Sequence, residues 1–474
     1  MVKKIIILLL CVLVVGAALA GCTENYKRDA VATDDLSNAV VQSNGGLAVK
    51  LGKYLYYING YAGNTVDNSY GDVLKGAIVR AEINEEGIPD YKTNVVIVPK
   101  NVYNTVATSG LYIQDGYLYY SSPSVDKDKT GAVRTAAMYL MRSKLDGTGT
   151  QVIAKFDDYT PVYKVVSGYI LYMNSSNELH QIDLNAKKFT DKTVDTDVTS
   201  YYSTPRADDE NALVNAIFYI KAAEVKTDTH NVVWAYRAGS ESPVKVIVGN
   251  EPSYPAASLE ISTGYTLALV ESLYIGDKLR LVYTKTDSGP NTRSNGTYSF
   301  DFDQTLSFDH TKEVRYTSGR NITKLYFLDD ENLIATLSTD ICLFRKINGE
   351  FVKDVVALIP NSAVIFKVVK AENSIEIYYT ASSKISRLKV LEKTETGYVV
   401  DFAPEAVEVF TSSYSTTWLQ PEEIGGLIYF WNTNAKDYTY YLNLSKVLPR
   451  DSESLTPVQL SLITGEDEVA LLTT

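Results

Sequence analysis

Cysteine is scarce in this chain, with three residues among 474. Cys11 lies within an apolar run at the N-terminus and Cys22 directly follows that run, so only Cys342 falls in the body of the sequence. An internal disulfide in the body is therefore excluded. Because Cys342 lies in the apolar stretch 340–345 (DICLFR), we expect it to be a small core residue.

Histidine is equally rare. The three residues, His180, His230 and His310, lie far apart, without a Cys partner or His-x-His spacing. A zinc site or a Ser-His-Asp triad would have to be assembled from isolated residues, so we predict no metal, no cofactor and no catalytic residue. Residues 126–131 (DKDKTG) resemble the start of a calcium loop, but the twelfth position is Ala137 rather than a carboxylate. We interpret them as a solvated loop.

Basic residues are outnumbered, since 45 Lys and Arg face 57 Asp and Glu for a net charge of −12. Removal of residues 1–21 would take away Lys3 and Lys4, leaving 43 basic against 57 acidic residues and a net charge of −14. Such a surface disfavours nucleic acid and anionic lipid headgroups as partners.

Helical patterns are also missing. Between residues 44 and 450 no long stretch combines apolar spacing of period 3.6 with helix caps, which disfavours an α/β binding protein of the transporter type. Methionine numbers four and tyrosine 36, a composition that favours strands. Two separate β-sandwiches remain an alternative, but they explain the regular spacing described below less well, and the chain has no Pro- or Gly-rich linker to separate them.

The chain does begin with the pattern of an export signal. Residues 1–21 combine two lysines, an apolar run that is short for a membrane span, and a small-residue end. That end, Leu19-Ala20-Gly21-Cys22, resembles the lipobox of bacterial lipoproteins. The resemblance implies that Cys22 carries lipid and anchors the protein to the extracytoplasmic side of a bacterial cell membrane, since two acyl chains suffice for a stable anchor. Residues 22–43 then comprise Cys22 and a polar tether.

A hairpin unit recurs along the chain. In GLYIQDGYLYYSS (110–122), Asp115-Gly116 separates two runs of β-formers and supplies the positive φ angles of a tight turn. The arrangement occurs eight times, at a spacing on the order of 50 residues that is typical of a four-stranded propeller blade. The copies lie at 47–59, 110–122, 163–174, 212–221, 271–285, 324–338, 366–380 and 422–432.

These repeats predict an all-β fold, a single β-propeller of four-stranded antiparallel blades over residues 44–450. We expect eight blades, with seven as the next alternative, and a monomeric body. The last blade needs an outer strand from one end of the chain. We expect residues 39–41 to supply it; the alternative is residues 457–463, in the C-terminal tail 451–474.

One unit carries a family resemblance. Tyr119-Tyr120 and the stretch YLMRSKLDGTGTQVI (139–153) resemble the repeat of the YWTD-type propellers of low-density lipoprotein receptor relatives, and more closely an uncharacterised bacterial propeller domain related to them. In that repeat an aromatic-rich second strand is followed by a strand that ends like Leu145-Asp-Gly-Thr148. The resemblance implies a propeller, six-bladed in the receptors, that recognises or supports other macromolecules and has no enzyme activity.

Three features are interpreted as structural. The paired tyrosines return at one place in unit after unit, so we predict that they fill the space between blades rather than stack on a ligand. Residues 145–150 (LDGTGT) contain glycines but lack the lysine of a phosphate loop, and we predict a turn between third and fourth strands. The acidic pairs at 157–158, 208–209 and 329–330 are likewise interpreted as turns.

The longest loops follow the second strand of several units, at 60–76, 121–136, 221–231 and 285–297. In a propeller such loops project on one face, which we predict to be the recognition surface; an idle face that tolerates insertions is the alternative. Its candidate binding residues are Tyr61, Asn64, Asp67, Tyr70, Asp72, Asp287, Asn291 and Arg293.

The sequence thus favours a membrane-anchored, non-enzymatic binding or scaffold module for a protein or a cell-wall glycan. A surface polysaccharide hydrolase or lyase with carboxylates near the propeller channel is the alternative. Membership of a larger envelope assembly is a third hypothesis.

Overall fold

The computed structural model describes most of the body of the chain as β-structure. Apart from one short 3₁₀ helix, His310–Lys312, the regular elements of the described part are all β-strands. Residues 1–35, with the predicted signal and Cys22, lie outside it. The described residues are 36, 39–60, 76–102, 110–123, 129–130, 137–156, 162–203, 216–221, 232–248, 266–275, 278–286, 295–302, 306, 310–317, 322–329, 331–337, 340–348, 350–358, 363–370, 374–381, 384–394, 397–400, 406–411, 422–432, 438–443 and 458–459.

Four sheets make up the first half of the described body. Sheet 1 contains β1 (Val41–Gln42), β2 (Ala48–Leu51), β3 (Tyr54–Ile58), β4 (Ile78–Ile83) and β5 (Pro89–Val98). Sheet 2 contains β6 (Tyr112–Gln114), β7 (Tyr117–Pro123), β8 (Met138–Lys144) and β9 (Gln151–Phe156). Sheet 3 contains β10 (Tyr163–Val166), β11 (Tyr169–Met173), β12 (Leu179–Asp183) and β13 (Asp191–Asp195). Sheet 4 contains β14 (Val198–Ser203), β15 (Ala216–Lys221), β16 (Val232–Arg237) and β17 (Val244–Val248).

Four more sheets follow in the second half. Sheet 5 contains β18 (Thr266–Ile275), β19 (Lys278–Thr286), β20 (Gly296–Phe302) and β21 (Val314–Arg315). Sheet 6 contains β22 (Lys324–Phe327), β23 (Asn332–Leu337), β24 (Asp340–Ile347) and β25 (Glu350–Leu358). Sheet 7 contains β26 (Val364–Lys370), β27 (Ser374–Ala381), β28 (Lys384–Thr394), β29 (Gly397–Val400) and β30 (Ala406–Thr411). Sheet 8 contains β31 (Glu422–Ile424), β32 (Leu427–Asn432), β33 (Tyr438–Asn443) and β34 (Val458–Gln459).

Within each sheet, successive strands pair antiparallel in chain order. Sheets 1 to 7 are seven such blades; sheet 1 has the extra strand β1, and in sheet 7 both β29 and β30 pair with β28. Sheet 8 repeats the same order with a short first and last strand and closes the ring. The predicted β-propeller of four-stranded antiparallel blades is confirmed, as is the hairpin turn, where Asp115 and Gly116 have φ angles of 50° and 76°.

Neighbouring sheets pack face to face through buried apolar clusters. Such clusters join sheets 1 and 2, 2 and 3, 3 and 4, 4 and 5, 5 and 6, and 6 and 7. Sheet 8 contributes Ile424, Leu427 and Tyr429 to the cluster of sheet 1. Sheets 7 and 8 meet at an ion pair between Lys367 and Glu423, whose Nζ and Oε2 atoms lie 2.7 Å apart. The ring is therefore continuous.

The prediction for ring closure was wrong in one respect. Residues 41–42 form β1, which pairs with β2 at the start of sheet 1 instead of completing sheet 8. The outer strand of sheet 8 is β34, which pairs with β33 and comes from the alternative segment 457–463. In both segments the backbone N–H and C=O groups find hydrogen-bond partners. β1 pairs with β2, which follows it after a short turn, and the C-terminal segment pairs with β33 at the outer edge of sheet 8.

The tyrosines have the predicted packing role. In the described part, the largest fully buried side chains are Tyr54, Tyr56, Tyr57, Tyr119, Tyr120, Tyr163, Tyr219, Tyr236, Tyr283 and Tyr298. Several hydroxyls also bond to the neighbouring sheet: that of Tyr163 donates to the Gly110 carbonyl at 3.1 Å, and that of Tyr236 donates to Gln181 at 2.9 Å. Burial raises the pKa of Tyr120 to about 12. These rings fill the junctions, and the hydroxyls of Tyr163 and Tyr236 add hydrogen bonds between neighbouring sheets.

Two smaller predictions are also confirmed. Residues 145–148 form the turn between β8 and β9, in which the Asp146 carboxylate accepts hydrogen bonds from the N–H and hydroxyl of Thr148 at 2.8 and 2.7 Å. A Cβ atom on Gly147 would lie 1.9 Å from the Ile97 carbonyl oxygen, so this turn packs directly against sheet 1. Cys342 is a buried free thiol in β24.

Candidate functional site: the loop feet and the central channel

The candidate binding residues lie outside the described part of the chain. This applies to Tyr61, Asn64, Asp67, Tyr70, Asp72, Asp287, Asn291 and Arg293. The structure does describe the positions where their loops leave and rejoin the sheets. We call these positions the loop feet, and the side of the ring that carries the connections between second and third strands the loop face.

The foot of the 61–75 loop is held by backbone hydrogen bonds. The N–H of buried Asn59 donates to the Ala77 carbonyl at 2.8 Å, and the N–H of Gly76 donates to the Asn59 carbonyl at 2.9 Å. The segment after β5 adds a third bond, from the Val102 N–H to the Gly76 carbonyl at 2.8 Å. The ladder between β3 and β4 thus continues to the point where the loop begins, which fixes both loop ends.

The foot of the 287–294 loop contains a buried ion pair. The Lys285 ammonium lies 2.7 Å from the Glu313 carboxylate, and each side chain is 3% exposed. The Tyr283 hydroxyl donates to the same carboxylate, and the Lys285 ammonium lies 4.8 Å from the centre of the Tyr298 ring. Burial, reinforced by the adjacent Glu313 charge, raises the pKa of Tyr283 well above its ordinary value. The opposite charges and the hydrogen bonds together compensate for the hydration that Lys285 and Glu313 lose on burial.

The returning end of the same loop is equally constrained. The Arg315 guanidinium donates to the carbonyls of Asn295 and Thr317, both at 2.8 Å. The Thr297 N–H donates to the Thr317 hydroxyl at 2.8 Å. A Cβ atom on Gly296 would lie 2.1 Å from the Thr317 carbonyl oxygen, so only glycine permits this close approach.

The foot of the 222–231 loop repeats the arrangement seen at Lys285. The Lys221 ammonium lies 2.5 Å from the Asp195 carboxylate of sheet 3, and the Tyr219 hydroxyl donates to that carboxylate at 2.7 Å. Both feet therefore combine a Tyr-x-Lys sequence at the end of a second strand with a carboxylate. Both stretches belong to the repeated hairpins. The sequence alone did not reveal the Tyr-x-Lys and carboxylate arrangement, because the acidic residue lies in a different part of the chain in each case.

A second concentration of charge lies on the innermost strands, around the central channel. Among the described side chains of these strands the charged residues are Lys50, Lys164, Glu271, Lys324, Lys367 and Glu423. Four are cations and two are anions, in a chain whose net charge is −12. The described side chains of these strands thus include more cations than anions, within an acidic protein.

Local backbone irregularity positions two of these charges. The pairing register shifts between Leu269 and Glu271 in β18, and between Ile365 and Lys367 in β26. Each shift is a β-bulge that directly precedes the charged residue. A bulge changes the direction of the side chains around it. It therefore allows Glu271 and Lys367 to turn away from the faces that pack against neighbouring sheets.

Glu271 is coupled to lysines of two other sheets. Burial raises the pKa of the Glu271 carboxyl, while the Ser272 N–H and the charges of Lys324 and Lys164 act in the opposite direction. Partial burial also lowers the pKa of Lys164, and the Glu271 charge opposes that shift. β10 and β18 belong to sheets 3 and 5, which are not neighbours in the ring.

The raised pKa of Glu271 predicts a pH-dependent stability difference. A carboxyl whose folded-state pKa is raised favours folding at low pH, and that contribution is lost as the pH rises above the unfolded value. We therefore expect wild-type protein to lose stability relative to Glu271→Gln as the pH increases from about 4.5. Urea unfolding of both proteins between pH 4 and 8 checks this; a constant difference across that range would contradict it.

His180 takes part in a local polar cluster. Its Nδ1 atom lies 3.1 Å from Asp191 and its Nε2 atom 3.1 Å from Asn174, and the ring stacks on Tyr172 with centroids 5.0 Å apart. His310 lies in the 3₁₀ helix, and His230 is outside the described residues.

No group of three or more metal-ligating side chains occurs within the part of the chain that the structure describes. In the same part, no helix is long and apolar enough to cross a membrane.

Comparison with known proteins gives similarity only at the level of solved structures. No family model and no curated protein sequence matches the chain. A prolyl endopeptidase structure has a TM-score of 0.43 at 10% identity over 85% of this chain and 54% of its own, so the chain spans about half of that protein. BamB from Moraxella catarrhalis has a TM-score of 0.41 at 11% identity, with 85% and 98% covered. The β-propeller domain of Cps50 (Swd1) from Myceliophteria thermophila has a TM-score of 0.37 at 11% identity, with 72% and 99% covered.

With TM-scores below 0.5, these similarities carry no argument about this chain. The strand order of its sheets shows that the chain is a β-propeller. The relation to YWTD-type propellers and the lipid anchor stay predictions from the sequence.

Proposed function

We propose that this protein is a lipid-anchored, extracytoplasmic binding or scaffold module that engages a protein or a cell-wall glycan through its loop face. The observation that supports the proposal most is the construction of the loop feet. Lys285 with Glu313 and Lys221 with Asp195 place buried or partly buried ion pairs where two long loops leave the ring. Fixed loop ends reduce the ordering that a binding loop must undergo.

Capture from an envelope extract tests this function. We expect immobilised mature protein to retain a specific protein or glycan without converting it, and we expect a panel of cell-wall polysaccharides to show no turnover. Retention of nothing above the level of a heat-unfolded sample, or turnover of a panel member, would contradict the proposal.

A polysaccharide hydrolase or lyase is the second candidate, and Glu271 is the reason to keep it. A buried carboxyl with a raised pKa has the property required of a general acid. Against this role, the two described channel carboxylates both lie near lysines, since Lys367 pairs with Glu423 and Lys324 acts on Glu271. Turnover that is abolished by Glu271→Gln and retained by the surface variant Lys188→Gln would favour the enzyme.

The anchor has its own test. Replacing Cys22 with alanine removes the only thiol at the predicted cleavage site, so we expect no lipid on the mature N-terminus and release of the protein from the membrane fraction. Cys342→Ala is the matched control, because that thiol is buried in the body. Mass spectrometry of the mature N-terminus checks the modification. An unchanged membrane fraction for Cys22→Ala would contradict the anchor.

A further inference from the structure

A cavity of about 220 Å³ lies between sheets 5 and 6. Its lining includes Arg280 and Asp301 near one end of β19 and β20, Lys312 of the 3₁₀ helix, and Lys346 and Phe351 beside the turn between β24 and β25. These residues lie near the hairpin turn between β18 and β19 and near the connections between the third and fourth strands of sheets 5 and 6. The cavity therefore opens on the side of the ring opposite the loop face and does not depend on the proposed function of that face.

Arg280, Ser299 and Tyr316 form a buried part of the wall, whereas Lys312 and Lys346 are exposed. Arg280, 9% exposed, forms two hydrogen bonds to Asp301, from Nε to Oδ1 at 2.6 Å and from Nη2 to Oδ2 at 2.9 Å. Its guanidinium also lies 4.9 Å from the centre of the Phe327 ring. The Ser299 hydroxyl donates to the Tyr316 hydroxyl at 2.8 Å. Held in this way, the guanidinium and hydroxyls present fixed polar groups to the cavity.

The charge of the wall favours an anion. Arg280, Lys312 and Lys346 are cations and Asp301 is the single carboxylate of the lining, so the lining has a net charge of +2 in a chain of net charge −12. Lys312, in the 3₁₀ helix, and Lys346, in β24 of sheet 6, both line the cavity. A carboxylate between them would form charge-assisted hydrogen bonds with both ammonium groups.

The remaining wall suits a small ring. Phe351 and Tyr316 meet edge to face with centroids 4.6 Å apart, and Phe300 completes an aromatic side. Apolar ring faces of this kind pack against the C–H face of a pyranose, while Asp301 and Ser299 retain acceptor sites for its hydroxyls. The cavity is smaller than the roughly 300–1,000 Å³ of pockets for drug-sized ligands, so it accommodates one ring rather than an oligosaccharide.

We propose that this cavity is a binding site for a carboxylated sugar, namely one uronate-type unit of an acidic glycan. The carboxylate lies between Lys312 and Lys346, and the ring packs against Phe351 and Tyr316. The site adds a second contact surface, on the opposite side of the ring from the loop face.

Titration calorimetry of the mature protein with methyl glucuronide, methyl glucoside and acetate tests the proposal. We expect the glucuronide to bind, the glucoside to bind at least about ten-fold more weakly because it lacks the charge-assisted bonds, and acetate to compete poorly because it lacks the ring. Lys346→Gln should weaken glucuronide binding about ten-fold, whereas Lys188→Gln, an exposed lysine of sheet 3, should leave it unchanged.

Phe351→Ala separates the ring contact from the charge contact. It should abolish the preference for glucuronide over acetate, and the unfolding midpoint of each variant shows that the fold is retained; Lys346→Gln carries the test if Phe351→Ala does not fold. Absence of glucuronide binding, equal affinity for the two sugars, or competition by acetate as strong as that of the glucuronide would each overturn the proposal.

Discussion

Replacing Lys285 with methionine should lower the free energy of unfolding by about 3–5 kcal/mol, the range for removing one partner of a buried ion pair. The loss is large because Glu313 would be left without its cationic partner in a site where both side chains are 3% exposed. Equilibrium denaturation in urea measures it. A loss below about 1 kcal/mol would mean that the pair resembles an ordinary surface salt bridge.

Two further variants separate the ion pair from the mere loss of a lysine. Lys221→Met should cost less, because Lys221 and Asp195 are 17% and 14% exposed and water can hydrate the remaining carboxylate. The double variant Lys285→Met with Glu313→Leu should be more stable than the sum of the two single changes predicts, since no isolated charge is then buried. Strict additivity would contradict a direct interaction between the two side chains.

Replacing Tyr163 with alanine should also cost about 3–5 kcal/mol, as large aromatic truncations in well-packed cores do. Tyr163 is fully buried between sheets 2 and 3 and packs against Tyr112 with ring centroids 5.6 Å apart. Tyr163→Phe keeps the ring and loses the hydrogen bond to the Gly110 carbonyl, so it should cost about 1 kcal/mol. Urea denaturation of the two variants measures the loss in free energy of unfolding for each, and the loss should be several times larger for Tyr163→Ala. Equal losses would show that the hydroxyl, rather than the ring, joins the sheets.

The fold was predictable because its determinants are local. Each hairpin is recognisable in the sequence from its runs of β-formers and a turn such as Asp115-Gly116, and the repetition of that unit indicates a propeller. Ring closure was not predictable in the same way. Residues 41–42 and 458–459 are short polar-apolar segments, and which sheet edge each one takes depends on backbone pairing that side-chain patterns do not encode.

The candidate sites were less predictable because their partners are distant along the chain. Glu271 and Lys164 belong to repeats that are not neighbours, and their electrostatic influence on each other arises only in the folded ring. The carboxylate that pairs with Lys221 is Asp195 of the preceding sheet, whereas the carboxylate that pairs with Lys285 is Glu313, 28 positions later in the same repeat. The recurring Tyr-x-Lys at the ends of β15 and β19 was visible in the sequence, but its acidic partner was not.

Trimming the two long loops tests the central claim, that the loop face is the recognition surface. Residues 61–75 and 287–294 would be replaced by short Asn-Gly turns that leave Asn59, Gly76, Lys285 and Asn295 in place, and shortening the exposed turn at 185–188 on the opposite side provides the control. The measurement is the dissociation constant for the captured ligand. We predict that the trimmed protein loses binding by at least about 100-fold, or roughly 2.7 kcal/mol, with its unfolding free energy unchanged. Undiminished binding by the trimmed protein would contradict the account.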